Sequence, residues 1–196
     1  ELDYEHEAEN LARLAQNLQR FQHLIVPRPM REVSSSRVLT MEFVDGHKIT
    51  DLDSATLADL PGDRLTEQLF QAYMQQVLVD GVFHADPHPG NLLLTPTRRI
   101  AIIDLGSVFH VSPQMQEWLF QLLLAISDGR GEDAADVAIK MGVPKADFAK
   151  SEFSRAVSHL VAETRDEGIQ RMQTGRVVLN IQQAAAHHGF RVPDEV

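Results

Sequence analysis

His84-Ala85-Asp86-Pro87-His88-Pro89-Gly90-Asn91, followed further along by Asp104-Leu105-Gly106 at the end of an apolar run, is the stretch that decides how this chain reads. A His-x-Asp, an Asn five residues after that Asp, and an Asp-x-Gly beyond a hairpin together form a phosphoryl-transfer pattern. Each residue type has a physical reason. Moving a phosphoryl group is mostly positioning and charge stabilisation, so two hard oxygen ligands, Asn91 and Asp104, are wanted to hold magnesium on the phosphates. A separate carboxylate, Asp86, must face the nucleophile, orient it and accept its proton. One Asp-x-Gly alone is nearly worthless as a signal; the full spacing with flanking apolar strands is specific.

A rival chemistry uses the same letters. His84, Asp86 and His88 alternate, as a strand-borne metal cluster of a hydrolase would. Pro87 and Pro89 disfavour that strand, and the cluster leaves Asn91 and Asp104 unexplained. His84 reads as a buried scaffold histidine bonded to backbone near Asp104. His88 either touches the terminal phosphate or faces solvent. His187 and His188 read as a helix end before Gly189.

The chemistry sits in an ordinary globular composition. The 196 residues are 43% hydrophobic and 23% charged, which is enough for a core and excludes whole-chain disorder. Lys+Arg 18 against Asp+Glu 28 gives a net charge of −10, which argues against a nucleic-acid partner. With no cysteine there is neither a disulfide framework nor a thiolate site. No stretch reaches the roughly 18 apolar residues of a membrane span, and Trp118 to Ile126 reads as core. The acidic opening, without an initiator Met, is the reverse of a targeting signal and suggests a piece of a larger protein.

Working outward, the periodicity of Leu11, Leu14 and Leu18 predicts a helix over Glu1 to Arg20. Arg31 to Val33 and Arg37 to Glu42 read as two short strands around Ser34-Ser35-Ser36, with Asp45-Gly46 ending the second. A helix is expected from Pro61-Gly62-Asp63 to about Asp80, stopped by Gly81, with Leu65, Leu69, Ala72, Tyr73 and Val77 on one face. Val82 to Asn91 reads as loop. Leu92-Leu93-Leu94 and Ile100 to Ile103 read as a hairpin about Pro96 to Arg99, and everything from Pro113 onward as helical. The expected class is α+β.

In this scaffold Glu42-Phe43-Val44-Asp45-Gly46 follows a strand as a hinge between lobes would. The carbonyl of Glu42 and the amide of Val44 are then expected to face an adenine edge, with Met41 beside it and Leu93 beneath.

Together with the opening Glu1-Leu2-Asp3-Tyr4-Glu5-His6-Glu7-Ala8-Glu9-Asn10, these motifs resemble the UbiB/ADCK family of atypical, protein-kinase-like proteins tied to ubiquinone biosynthesis and lipid homeostasis. The resemblance covers residues 1 to 110 with specific motifs and the helical tail weakly. It implies a protein-kinase-like fold, mostly C-lobe with hinge and part of the N-lobe, and a helical C-terminal subdomain. The expected divisions are 1–45, 46–111 and 112–196.

By the resemblance, Asp86 matches the catalytic aspartate, and Asn91 and Asp104 the magnesium ligands. Glu7 matches the glutamate that pairs with the nucleotide-binding lysine. Glu1 and Asp3 match the Glu-x-Asp motif, and His84 and Gly106 belong to the loop motifs. The implied cofactors are ATP and magnesium. The implied partners are ATP and, through the full-length protein, a lipid or quinone precursor and a membrane surface; the implied location is cytoplasmic and membrane-associated, in bacteria or an organelle. The resemblance favours ATPase action over protein phosphorylation. Two other functions fit the letters: a small-molecule phosphotransferase of the aminoglycoside or choline type, and a pseudokinase binding module. The acidic opening argues against the first, and the joint presence of Asp86, Asn91 and Asp104 against the second.

No lysine precedes Lys48, so the partner expected for Glu7 is not in this sequence. Residues 1–196 alone are therefore expected to bind ATP weakly and turn over little. ATP hydrolysis by the 196-residue piece at the rate of the full-length chain would contradict this.

Overall fold

The computed structural model describes residues 4–85, 88–104, 107–146, 148–166, 180–181, 183–184 and 190–191. They fall into two compact units, residues 1–110 and 111–196.

The first unit opens with helix α1, Tyr4–Asn17, carrying Glu5 and Glu7 in its first turn, where carboxylates complement the helix dipole. Ala8, Leu11 and Leu14 are its buried face. A four-stranded sheet follows, built from β1 (Leu24–Ile25), β2 (His47–Lys48), β4 (Leu92–Leu94) and β5 (Ile100–Ile102) in the order β1-β5-β4-β2. The hairpin expected at 92–103 is β4 and β5, antiparallel with Leu93 opposite Ala101. Its turn closes with Thr95 N–H donating to the Arg99 carbonyl at 2.9 Å and Arg98 in left-handed conformation. β1 pairs with β5 in parallel, Leu24 beside Ile100. Leu11, Leu14, Leu18 and Phe21 join Leu24, Leu65, Ala72, Leu94, Ile100 and Ile102 in one core. Burial of this apolar surface is the dominant favourable term in folding.

Helix α3, Gly62–Gln75, passes into a π-helical turn, Gln76–Asp80, and ends at Gly81. Gly81 has φ 63°, a left-handed conformation that glycine adopts without the Cβ penalty. A short helix the sequence reading missed, α2 (Ser54–Ala58), precedes it.

Three expectations are corrected. Arg31 to Val33 is a 3-10 turn, and Arg37 to Glu42 is no strand; only isolated bridges, Pro29 with Met41 and Ser35 with Val38, join the two segments. Pro29 has no N–H for a ladder, and the Ser34 hydroxyl takes over the local backbone, donating to Met30 O at 2.8 Å and accepting from Thr40 N at 3.0 Å. Val82 to Asn91 is not all loop. Val82–His84 forms β3, paired antiparallel with β6 (Val108–His110), and Pro89–Asn91 is a 3-10 turn. The tail is not purely helical, because β7 (Val143–Pro144) pairs with β8 (Phe190–Arg191).

The second unit is otherwise built from helices α4 (Pro113–Ser127), α5 (Gly131–Lys140) and α6 (Lys150–Asp166). Ser112 caps α4 by accepting from Met115 N at 3.2 Å, with Pro113 at the first helical position. Leu122, Ala125 and Ile126 pack with Ala134, Ala135, Ala138, Phe153, Val157 and Val161, so the Trp118 to Ile126 segment contributes to a core. No helix among the described residues is long and apolar enough to cross a membrane.

Helices α5 and α6 meet closely at Gly131, where an added Cβ would lie 2.5 Å from Ser158 Cα. Gly131→Ala is expected to force the helices apart and lower stability by about 1–3 kcal/mol in urea unfolding. An unchanged midpoint would contradict that close approach.

Candidate active site

Asn91 and Asp104, two of the residues that carry the phosphoryl-transfer pattern, lie at one end of the β4–β5 hairpin. Leu92 and Ile102 form the last rung of the ladder on that side. One step beyond, Ile103 N–H donates to the Asn91 carbonyl at 2.9 Å, which places Asn91 beside the residue preceding Asp104. Asn91 N–H in turn donates to His88 O at 2.9 Å. Asp104 has φ 64°, where Asp and Asn are among the few non-glycine residues that settle, because their short polar side chains bond locally. Such backbone strain clusters at functional sites.

His88 caps the 3-10 turn Pro89–Asn91, its Nδ1 accepting from Gly90 N at 3.0 Å. With Nδ1 used as acceptor, the neutral ring carries its proton on Nε2, which leaves a donor on an exposed side chain.

His84 is 4% exposed. Its Nδ1 lies 3.3 Å from Ser107 O, and since a carbonyl can only accept, Nδ1 carries the proton of the neutral ring. Ser107 O also accepts from Ala85 N at 2.8 Å. Two side chains of α3 and the π-helical turn hold the His84 backbone. Gln76 Oε1 accepts from His84 N at 3.0 Å, and Tyr73 Oη donates to His84 O at 2.7 Å. Burial pushes the Tyr73 phenol above its ordinary pKa, which keeps it a donor.

Gln76 is 2% exposed and was missed by the sequence reading. The signal available was its position on the stripe of Leu65, Leu69 and Ala72, where a polar residue is out of place unless its amide is satisfied.

The expected nucleotide-facing residues lie in the same unit. Glu42 N–H donates to Arg28 O at 2.9 Å, and its carboxylate accepts from Arg28 N at 3.0 Å. Among the described residues neither the Glu42 carbonyl nor the Val44 amide takes part in a backbone hydrogen bond. Phe43, between them, is 91% exposed. Met41 packs against the core of the first unit, and Leu93 lies in β4 between Lys48 and Ala101. Glu7 is half-buried on α1. Glu1, Asp3, Asp86 and Gly106 lie outside the described residues.

By residue chemistry Asn91 and Asp104, whose backbones lie at one end of the hairpin, could hold magnesium, since both carry the hard oxygens it takes. Among the described residues no three His, Cys, Asp or Glu side chains group as a protein-only metal site would require.

A family model described as the ABC1 atypical kinase-like domain matches residues 1–141. The chain belongs to this family. ABC1 is the group whose members the opening, hinge and loop motifs resemble under the name UbiB/ADCK. Among ABC1 relatives, protein slr0889 of Synechocystis sp. is 29% identical over 98% of this chain and 50% of that protein. Protein ACTIVITY OF BC1 COMPLEX KINASE 8, chloroplastic, of Arabidopsis thaliana is 31% identical over 73% of this chain and 19% of its own length. The chain thus spans half or less of these curated ABC1 relatives. Among solved structures, Mycobacterium tuberculosis Rv3197, determined with erythromycin, matches 93% of this chain and 53% of its own at 20% identity and a TM-score of 0.53. That likeness concerns the fold, which is the α+β kinase-like one.

The left-handed backbone at Asp104 yields a stability prediction independent of activity. Asp104→Val should be less stable than Asp104→Asn by about 1–2 kcal/mol in urea unfolding, because a β-branched side chain clashes there. Equal midpoints would show that the backbone does not hold this conformation.

Proposed function

We propose that this chain carries the phosphoryl-transfer residues of a magnesium- and ATP-dependent kinase or ATPase of the ABC1 type, supporting isoprenoid quinone or lipid metabolism in the full-length protein. The observation that carries the reading is the Ile103-to-Asn91 hydrogen bond, which sets Asn91 and Asp104 at one end of the hairpin.

In this reading Asn91 and Asp104 hold magnesium, which when bound neutralises charge on the phosphate oxygens. Asp86 orients the nucleophile, a substrate hydroxyl or a water, and takes its proton as its oxygen bonds to the terminal phosphorus and the bond to the ADP oxygen breaks. His88 offers its Nε2–H to a phosphate oxygen. The Glu42 carbonyl and Val44 amide meet the adenine edge, with Met41 and Leu93 against the ring faces. Glu7 serves the nucleotide end of the site. A membrane-associated location and a lipid or quinone-precursor partner belong to the same proposal.

The test is ATP hydrolysis by the full-length protein with and without magnesium, beside Asp104→Asn. The variant keeps the left-handed backbone and loses the carboxylate charge. Magnesium-dependent turnover should fall by about 10²-fold or more. Turnover untouched by the substitution would overturn the assignment.

A further inference from the structure

We infer that Gln76 and Tyr73 clamp the backbone of His84 in place of a missing sheet neighbour, and that Gln76 is thereby a positioning residue for phosphoryl transfer. This rests on the reading proposed above.

β3 belongs to a two-stranded sheet, with His84 opposite Val108. Backbone groups of successive strand residues point to opposite edges. Ala85 N–H is directed at Ser107, on the β6 side. The N–H and C=O of His84 are turned the other way, toward α3 and its π-helical extension. There a third strand would supply one acceptor and one donor; here two side chains do. Gln76 Oε1 takes the N–H at 3.0 Å and Tyr73 Oη meets the carbonyl at 2.7 Å. The two residues are three apart, the spacing that puts helical side chains on one face.

The clamp is itself held. Gln76 Nε2 donates to Ala72 O at 3.2 Å, so both ends of the amide are used and the side chain cannot turn over without losing both bonds. The Tyr73 ring meets Phe83 edge-on at 6.0 Å, and Phe83 lies 6.2 Å from Phe109 of β6. The π-helical turn begins at Gln76 itself, and π-turns are found frequently at functional sites.

What the clamp controls follows from position in the chain. His84 is the last residue of β3, two before Asp86, and its ring Nδ1 bonds to the carbonyl of Ser107. Fixing the N–H and C=O of His84 fixes where the chain leaves the strand for the reacting segment. A displacement of about 1 Å at such a point can cost on the order of 10²-fold in rate.

The experiment uses the full-length protein with Gln76→Met, Tyr73→Phe and Gln76→Glu, measuring kcat and KM for magnesium-dependent ATP hydrolysis and hydrogen exchange at the His84 amide. Gln76→Met keeps the side chain's length and removes both bonds. It should lower kcat by about 10- to 10²-fold with KM for ATP little changed, and speed exchange at His84. Tyr73→Phe should lower kcat in the same sense. Gln76→Glu adds a pH signature that a merely structural role would not give. Its protonated carboxyl reproduces the donor and acceptor of the amide, whereas the ionised form sets an oxygen against Ala72 O. Its kcat relative to wild type should therefore rise as pH falls.

Should Gln76→Met not fold, Tyr73→Phe and the pH profile of Gln76→Glu decide the matter. If the wild type turns over, Asp104→Asn abolishes it, and the clamp variants run at the wild-type rate with a flat relative pH profile, the clamp role is overturned and the phosphoryl-transfer reading stands. A wild type without magnesium-dependent turnover overturns both.

Discussion

The hydrogen bond from Ile103 N–H to the Asn91 carbonyl sits one step outside a three-rung ladder, and the site hangs on it. Inside the ladder, Leu94, Ile100 and Ile102 are buried in the core of the first unit, so the register of the two strands is fixed by apolar burial. Slipping it by one residue would take that apolar set out of this core. The polar residues just past the ladder inherit this precision without being buried themselves. Asn91, half-buried, and Asp104, exposed, sit at an edge whose position is set by an apolar interior.

A second device works on the neighbouring segment by different physics. Where Asn91 is placed by strand pairing, His84 is placed by side chains standing in for a strand. The buried Gln76 amide and the Tyr73 hydroxyl satisfy backbone groups that would otherwise be orphaned, and an orphaned buried group costs about 1–3 kcal/mol. His84 on one side and Asn91 on the other are thus each tied to a rigid element. This arrangement is typical of sites carried on loops over a fixed scaffold.

Much of this was legible in the sequence where the signals were local. Two apolar runs about Pro96 to Arg99 read as a hairpin, and the chain from Pro113 onward read as helical. The motif His84 to Asn91 with Asp104 pointed to phosphoryl transfer, because its spacing reflects that chemistry, and together with the acidic opening and the hinge it resembled the family to which the chain belongs. What stayed hidden was non-local or conformational. β3 is three residues long and its partner lies beyond the hairpin, so no window of sequence contains both. The bridge-only region from Pro29 to Met41 looked like strands by composition, yet Pro29 lacks the N–H that a ladder needs. The π-helical turn has no residue signature, and Gln76 announced itself only as a polar residue on an apolar stripe. The left-handed turn at Asp104 is a property of the backbone that its letter allows but does not declare.

The parallel pairing of β1 with β5 sets an order of events in synthesis and folding. Leu24 can meet Ile100 only after the intervening helices, strands and loops have been made, so the sheet stays open on that side through much of the emergence of the chain. Pairings of such separation are slow because loop closure precedes any gain from contact. Until then α1 has no completed sheet to cover, and Leu11, Leu14 and Leu18 wait with their apolar faces exposed. Helices α4, α5 and α6, which pack mainly on sequence neighbours, have no comparable delay. The first unit is accordingly where aggregation during biogenesis is expected to concentrate.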